Sequence, residues 1–298
     1  MTITIVSAGL TIIEDKGRTE YTNLGVPVSG AFDKLSHQLA CNLINEPLAP
    51  VFEILRGPFQ LKSDTELVLA VVGDAKVTID GYPAPLNSVF VLGVNNNLRV
   101  VPNSESPVYL AIKGLVIQGT LGSYSHDTLS QIGPAPLKDG DLFETKEIDK
   151  NDPVIGSFIS SNLKTSICDL RYVPGPHNFE IRGNWQVRSI ARSGIRLSTN
   201  HPLKDASSSL ASFPVMPGAI QVPPSGLPVI LGPDCGTTGG YPVAGVIIEA
   251  DLHKLARLTP ETEINLIPIT RQEAALAKAL LSKSIANSVT RPNDMGAW

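Results

Sequence analysis

The feature that most constrains this chain is a succession of short, β-branched-rich runs cut by turn-forming residues. Residues 2–6, 67–72, 76–80, 88–92, 98–101 and 108–113 have this character, with Asp80-Gly81, Gly93 and Asn95-Asn96-Asn97 as punctuation. The same style resumes at 167–173, 185–190, 229–231, 243–248 and 264–269. Nowhere do these runs alternate with helices of 10–15 residues, which disfavours a doubly wound parallel sheet. The 25 glycines and 24 prolines, about one residue in six, suit a protein of many turns. The chain therefore reads as mainly β with a few helices, arranged in two β-rich lobes.

Two helices interrupt the pattern. Over residues 33–46, Leu35, Leu39 and Leu43 recur every four positions, with Ser29-Gly30 in front as a cap and Pro47 as the stop. A C-terminal helix opens at Thr270, and Glu273 follows at the spacing of a capping box. Its apolar stripe, Leu276, Leu280 and Leu281, is expected to be spent on the protein's own core. A short helix is predicted over 251–258. The polar stretch 144–165 divides an N-terminal lobe (1–150) from a C-terminal lobe with the terminal helix (166–286), and 287–298 reads as a fraying tail.

Charge and composition exclude several functions. With 24 Lys and Arg against 28 Asp and Glu, the net charge of −4 offers nothing to nucleic acid or an anionic membrane. The longest apolar run, 67–72, is six residues, far below the roughly 18 a membrane helix needs. Glu14 and Asp15 stand where a leader would be apolar, so the reducing cytoplasm is the expected compartment. Cys41, Cys168 and Cys235 form no CxxC, and the five histidines form no HxxxH, so no metal is expected and each cysteine reads as a small buried apolar group.

The usual catalytic signatures are absent: there is no GxxxxGK phosphate loop, no helix-opening GxGxxG and no GxSxG elbow. With Met1, Met216 and Met295 as the only methionines, no Met-Lys-Met biotin attachment exists. Three polar clusters remain. In 232–242, four glycines with Asp234, Thr237, Thr238 and Tyr241 bring backbone N–H groups, hydroxyls and a carboxylate toward a ligand, although a tight turn satisfying itself would look the same. In 217–226, prolines stiffen an edge on which Gln221 is the one long amide, placed to read a polar substrate or to stand in solvent. In 15–33, Arg18 leads into Ser29 and Asp33 at a helix start, a setting for an anion or for plain capping. Arg192 and Arg196, if on one strand, share a face.

In this order, these segments resemble the family of the C-type subunits of bacterial 5-oxoprolinase, also described as KipA-like, allophanate hydrolase subunit 2 or biotin-dependent carboxyltransferase-like. The resemblance rests on Gly9-Leu10 through Arg18, Gly25-Val26-Pro27-x-Ser29-Gly30-Ala31-x-Asp33, and Glu53 with Gly57-Pro58. It continues through Leu121-Gly122-Ser123, Gly140-Asp141, Pro174-Gly175-Pro176 and Arg192-x-Gly194-x-Arg196-Leu197. It closes with Pro217-Gly218-x-Ile220-Gln221-Val222-Pro223-Pro224-x-Gly226 and Asp234-Cys235-x-Thr237-Thr238-Gly239-Gly240-Tyr241-Pro242.

The resemblance implies cyclophilin-like barrels and a subunit of an ATP-dependent hydrolase that opens 5-oxo-L-proline to L-glutamate. The implied partners are a B-type, KipI-like subunit and an A-type subunit, with ATP used in the complex. It equally allows a KipA-like regulator of a kinase inhibitor, or the carboxyltransferase of a urea carboxylase whose biotin is carried by another chain. For the hydrolase, Arg18, Gln221, Thr237, Thr238 and the backbone of Gly239 and Gly240 are candidate donors to a developing oxyanion. Asp234 or Glu53 is the candidate base or orienting group. Ser29, Asp33, Arg192, Arg196 and Tyr241 complete the expected substrate site.

Overall fold

The computed structural model describes residues 1–147, 152–160, 168–177, 179–203 and 210–292. Parts of the predicted connection and of the tail (148–151, 161–167 and 293–298) lie outside the described residues.

The N-terminal lobe is two antiparallel sheets face to face. One has seven strands, in the order Leu115–Val116, Leu142–Thr145, Thr2–Ser7, Phe59–Ser63, Leu98–Pro102, Ala75–Ile79 and Tyr82–Pro83. The other has five, in the order Leu10–Glu14, Val51–Arg56, Val108–Ile112, Leu67–Val72 and Val89–Leu92. Ile3, Phe59 and Leu61 from the first sheet meet Phe52, Leu69 and Leu110 from the second in one core. The reverse face of the five-stranded sheet, carrying Val68, Ala70 and Ala111, is covered by helix α1 (Lys34–Leu43) through Leu35, Leu39 and Leu43. Both faces being buried explains why Leu67–Val72 is apolar without alternation.

The C-terminal lobe is a closed barrel of seven strands: Asp169–Pro174, Val243–Ile247, Ala219–Gln221, Val229–Leu231, Gly194–Ser198, Gly183–Ala191 and Glu263–Pro268. Its closing pair, Asp169–Pro174 with Glu263–Pro268, is parallel, and the other pairs are antiparallel. Trp185, Leu197, Ile220, Ile230 and Leu266 fill the interior. A 3-10 turn (Glu249–Asp251) runs into the short helix α2 (Leu252–Leu255), where the sequence places one. Arg171 holds Asp251 there through two guanidinium bonds of 2.8 and 2.9 Å.

Several local expectations change. The cap of α1 is Asp33, whose Oδ1 accepts from the amides of Leu35 and Ser36, while Ser29 sits four residues earlier at φ 56°. Helix α3 (Arg271–Ala286) does open on the Thr270–Glu273 capping box. Of its stripe, Leu281 packs against the core cluster with α1, but Leu276 and Leu280 are 61% and 59% exposed and are not spent on the core. Ile285 is buried instead, in the N-terminal lobe's cluster with α1. Beyond the helix the chain stays tied: Val289–Thr290 pairs with Phe158–Ile159, and Ser288 is buried. Of the cysteines, Cys41 and Cys235 are buried as expected, but Cys168 is exposed. Among the described residues there is no cluster of metal-ligating side chains and no helix long and apolar enough to cross a membrane.

Candidate functional site

The lobes meet on a buried ionic junction centred on Arg192. Arg192 and Ser193 are the two turn residues between the strands Gly183–Ala191 and Gly194–Ser198, so the guanidinium leaves the barrel and enters the other lobe. Its Nε and Nη2 clasp Asp234 at 2.8 and 3.0 Å, and Nη1 reaches Glu53 at 2.5 Å. Nη2 also donates to the Gly30 carbonyl at 2.7 Å and lies 3.1 Å from Glu14. Gly232 permits this approach, because a Cβ there would collide with the Arg192 carbonyl oxygen.

Every acid in the junction is sealed from water. Glu53 is aligned across the sheet with Tyr109, whose hydroxyl donates to Glu53 Oε2 at 2.8 Å; the Phe32 amide supplies another bond at 2.9 Å. Asp234 Oδ2 also accepts from the amide and hydroxyl of Thr128, at 3.1 and 2.6 Å. Burial pushes the pKa values of Glu14 and Glu53 up against the pull of Arg192. Burial also opposes the charge of Arg192, but Glu53, Glu14 and Asp234 outweigh it and hold its pKa well above the usual value. Three carboxyl groups around one guanidinium thus favour a protonated Glu14.

The N-terminal segment reinforces the contact. The Ser29 amide donates to the Pro233 carbonyl at 3.0 Å, Phe32 is buried in the barrel core, and Arg257 binds Asp33 at 2.8 Å. Arg18 donates to Ser29 Oγ at 3.2 Å and to the Ser125 carbonyl, and Ser29 Oγ donates to Asp127 at 2.9 Å. Of the residues singled out by sequence, Asp234, Glu53, Arg192, Arg18, Ser29 and Asp33 therefore converge in one buried interlobe network. The carboxylate oxygens of Asp234 and Glu53 are committed to protein donors. Arg196 does not join: it lies exposed on the second strand of the hairpin, in register with Ser189 and Val229.

Beside the junction an open cleft of about 990 Å³ runs between the lobes. Its walls are largely apolar, with Val28 from the first lobe and Val215, Met216, Val246, Ile247 and Leu252 from the second. Thr237 and Thr238 line it, as do Lys34, Glu249 and Lys278, the last two paired at 2.6 Å. The loop carrying the threonines starts at Asp234, so the junction sets the loop's position. Thr238–Gly239 then pairs with Phe213–Pro214, and Tyr241 is exposed.

The four loop glycines have no left-handed φ; at Gly239 a Cβ would meet the end of the Gln221 side chain, at Nε2. Gln221 is buried, and this nitrogen has no hydrogen-bond partner among the described residues. Lys34, Glu14, Tyr109 and Thr128 join the site without having been singled out by sequence. The first two adjoin segments that carry a signal, whereas Tyr109 and Thr128 have no local pattern around them.

Residues 24–268 match the carboxyltransferase domain, subdomain A and B, and the chain belongs to that family. It is 30% identical over 297 residues to the C-type subunit of the 5-oxoprolinase of Escherichia coli (strain K12), covering 92% of this chain and 93% of that protein. Among solved structures, TTHA0988 superposes with a TM-score of 0.81 at 29% identity over 89% of this chain. The urea carboxylase of Kluyveromyces lactis gives 0.83 at 25% identity over 96%. The chain spans 56% of the TTHA0988 chain and 29% of the urea carboxylase chain.

Proposed function

We propose that this chain is the C-type subunit of an ATP-dependent 5-oxoprolinase-type hydrolase, opening 5-oxo-L-proline to L-glutamate with B-type (KipI-like) and A-type partners in the cytoplasm. The observation that carries this reading is the near end-to-end correspondence with the C-type subunit of a 5-oxoprolinase, over 92% of one chain and 93% of the other.

The lactam is stabilised by amide resonance, so opening it requires an activated carbonyl, and ATP supplies the activation. The residues here do not suit a triphosphate: the cleft is mostly apolar, Lys278 is already paired, and the sequence has no phosphate loop. Handling of ATP therefore falls to a partner. This chain's part is to hold and orient the lactam. Thr237 and Thr238 offer hydroxyls at the cleft wall, apolar side chains exclude water, and the Arg192–Asp234 pair fixes the loop. A lactam of nine heavy atoms fills roughly 270 Å³ even at the spacing of liquid water. The cleft is more than three times larger, which leaves room for a partner's contribution.

A second reading is favoured by the fold shared with the urea carboxylase. In it, the cleft receives biotin borne by another chain and the protein is the carboxyltransferase component. Co-expression with the B-type and A-type subunits, followed by ATP hydrolysis assays with and without 5-oxoproline, tests the first reading. Lactam-dependent turnover by the complex, absent from the single chain, is expected. Stable association without turnover points to a KipA-like regulator, and robust turnover by the isolated chain overturns the multi-subunit reading.

A further inference from the structure

Glu14 ends the strand Leu10–Glu14 and enters the ionic junction fully buried. It differs from the other two acids there in its donors. Glu53 accepts from Arg192, Tyr109 and Phe32, and Asp234 accepts from Arg192 and Thr128. Neither oxygen of Glu14 has a hydrogen-bond partner among the described residues.

A count of hydrogens accounts for the difference. Glu14 Oε1 lies 3.1 Å from Arg192 Nη2, but the two hydrogens of that nitrogen go to the Gly30 carbonyl at 2.7 Å and to Asp234 Oδ1 at 3.0 Å. The hydroxyl of Ser125 also stands near Glu14, and its one hydrogen goes to Asp15 Oδ1 at 2.5 Å. Toward Glu14, Ser125 can only accept, and only a protonated Glu14 has a hydrogen to give.

The flanking charges are engaged elsewhere. Asp15 also accepts from the Ser123 hydroxyl and the amides of Gly17 and Tyr124, and Arg18 donates to Ser29 and Ser125. Asp127 accepts from the Ser29 hydroxyl and the amides of Leu129 and Ser130. Burial lowers the pKa of His126, which keeps it neutral at pH 7, and raises that of Glu14 against the attraction of Arg192.

We propose that Glu14 is built into the junction as a neutral carboxylic acid and acts as a positioning residue for the loop that walls the cleft. Ionised, its two oxygens require water, and water reaches them as the lobes part at the junction. Asp234 clasps the same guanidinium from the barrel side, so hydration there frees the loop that runs from Asp234 to Thr237 and Thr238. The cleft wall is thereby held while Glu14 keeps its proton and loosened when the proton leaves.

The cysteines of the full chain report this. Cys235 is buried on the loop and lines the cleft, Cys168 is exposed, and Cys41 is buried in the cluster around α1. Alkylation between pH 6 and 9, read peptide by peptide, gives Cys235 relative to Cys168, with Cys41 reporting global unfolding. Comparison with Glu14→Gln, neutral and of the same shape, cancels the thiols' own titration. Relative labelling of Cys235 is expected to rise about 10-fold in the parent over Glu14→Gln as the pH climbs, with Cys41 unchanged.

A folded state that binds the extra proton loses stability as the pH rises through its own pKa. The folding equilibrium constant of the parent is therefore expected to fall, relative to Glu14→Gln, by up to about tenfold per pH unit. Infrared spectra of the parent should keep a protonated-carboxyl band at pH 7; its absence overturns the neutral acid whether or not Glu14→Gln folds. Superimposable pH profiles for the two proteins overturn the proposal. So does a Glu14→Gln chain less stable than the parent at pH 7, which marks Glu14 as a charged partner of Arg192. Stability profiles that diverge while Cys235 labelling stays equal overturn the control of the loop.

Discussion

The ionic junction and the open cleft lie side by side between the same two lobes, yet they use charge in opposite ways. In the junction, Glu14, Glu53 and Asp234 surround Arg192, and all four are buried. In the cleft, Lys34, Glu249 and Lys278 line mostly apolar walls. The residues that look most catalytic by type are thus committed to holding the lobes in register. The cleft is poorer in polar groups. Chemical type alone does not separate a structural carboxylate from a reactive one; the number of donors already bound to it does.

The largest effect is expected from the junction. Arg192→Met leaves three buried carboxyl groups without their cation and should cost about 3–5 kcal/mol of unfolding free energy, the range for breaking a buried ion pair. Denaturant unfolding checks it, and a loss below about 1 kcal/mol would show that the junction is dispensable.

Acid should act on α1, where His37 is buried. His37 has a folded-state pKa of about 4 against an ordinary 6.5, so between these values the unfolded state binds more protons. Its contribution is present above pH 6.5 and is lost as the pH falls toward 4, by about 3 kcal/mol for the full shift. Unfolding free energies over this window should decline less steeply in His37→Leu than in the parent. Parallel pH profiles would assign the acid sensitivity elsewhere.

A smaller loss, about 1–2 kcal/mol, is expected from ending the chain after Asn287, which removes buried Ser288 and the Val289–Thr290 pairing. An unchanged melting curve would restore the fraying-tail reading from residue 288 onward. The smallest effect belongs to Gly239→Ala. The backbone there is ordinary and the obstacle is the end of the flexible Gln221 side chain, so the cost is about 1 kcal/mol. A loss of several kcal/mol would mean that Gln221 cannot move and helps to shape the cleft.

Much of the fold was legible because its signals are local. The apolar run Leu67–Val72 needs only a strand buried on both faces, and Thr270 with Glu273 needs only a helix start. The stripe of α3 misled because periodicity says that Leu276 and Leu280 share a face, not that the face is covered. Arg192 and Arg196 misled for a related reason: a turn placed between them sends the two side chains to different surroundings.

The β-rich class, the capped helices and the loops rich in Gly, Asp and Thr follow from short-range propensities and turn chemistry, which the amino-acid order carries directly. The roles of the charged groups do not. Glu53 and Arg192 are separated by 139 residues, and Asp33 and Arg257 by 224, so no local pattern encodes their pairing. Burial and partner count arise only when the lobes close on each other, and those two quantities tie Asp234 into the junction.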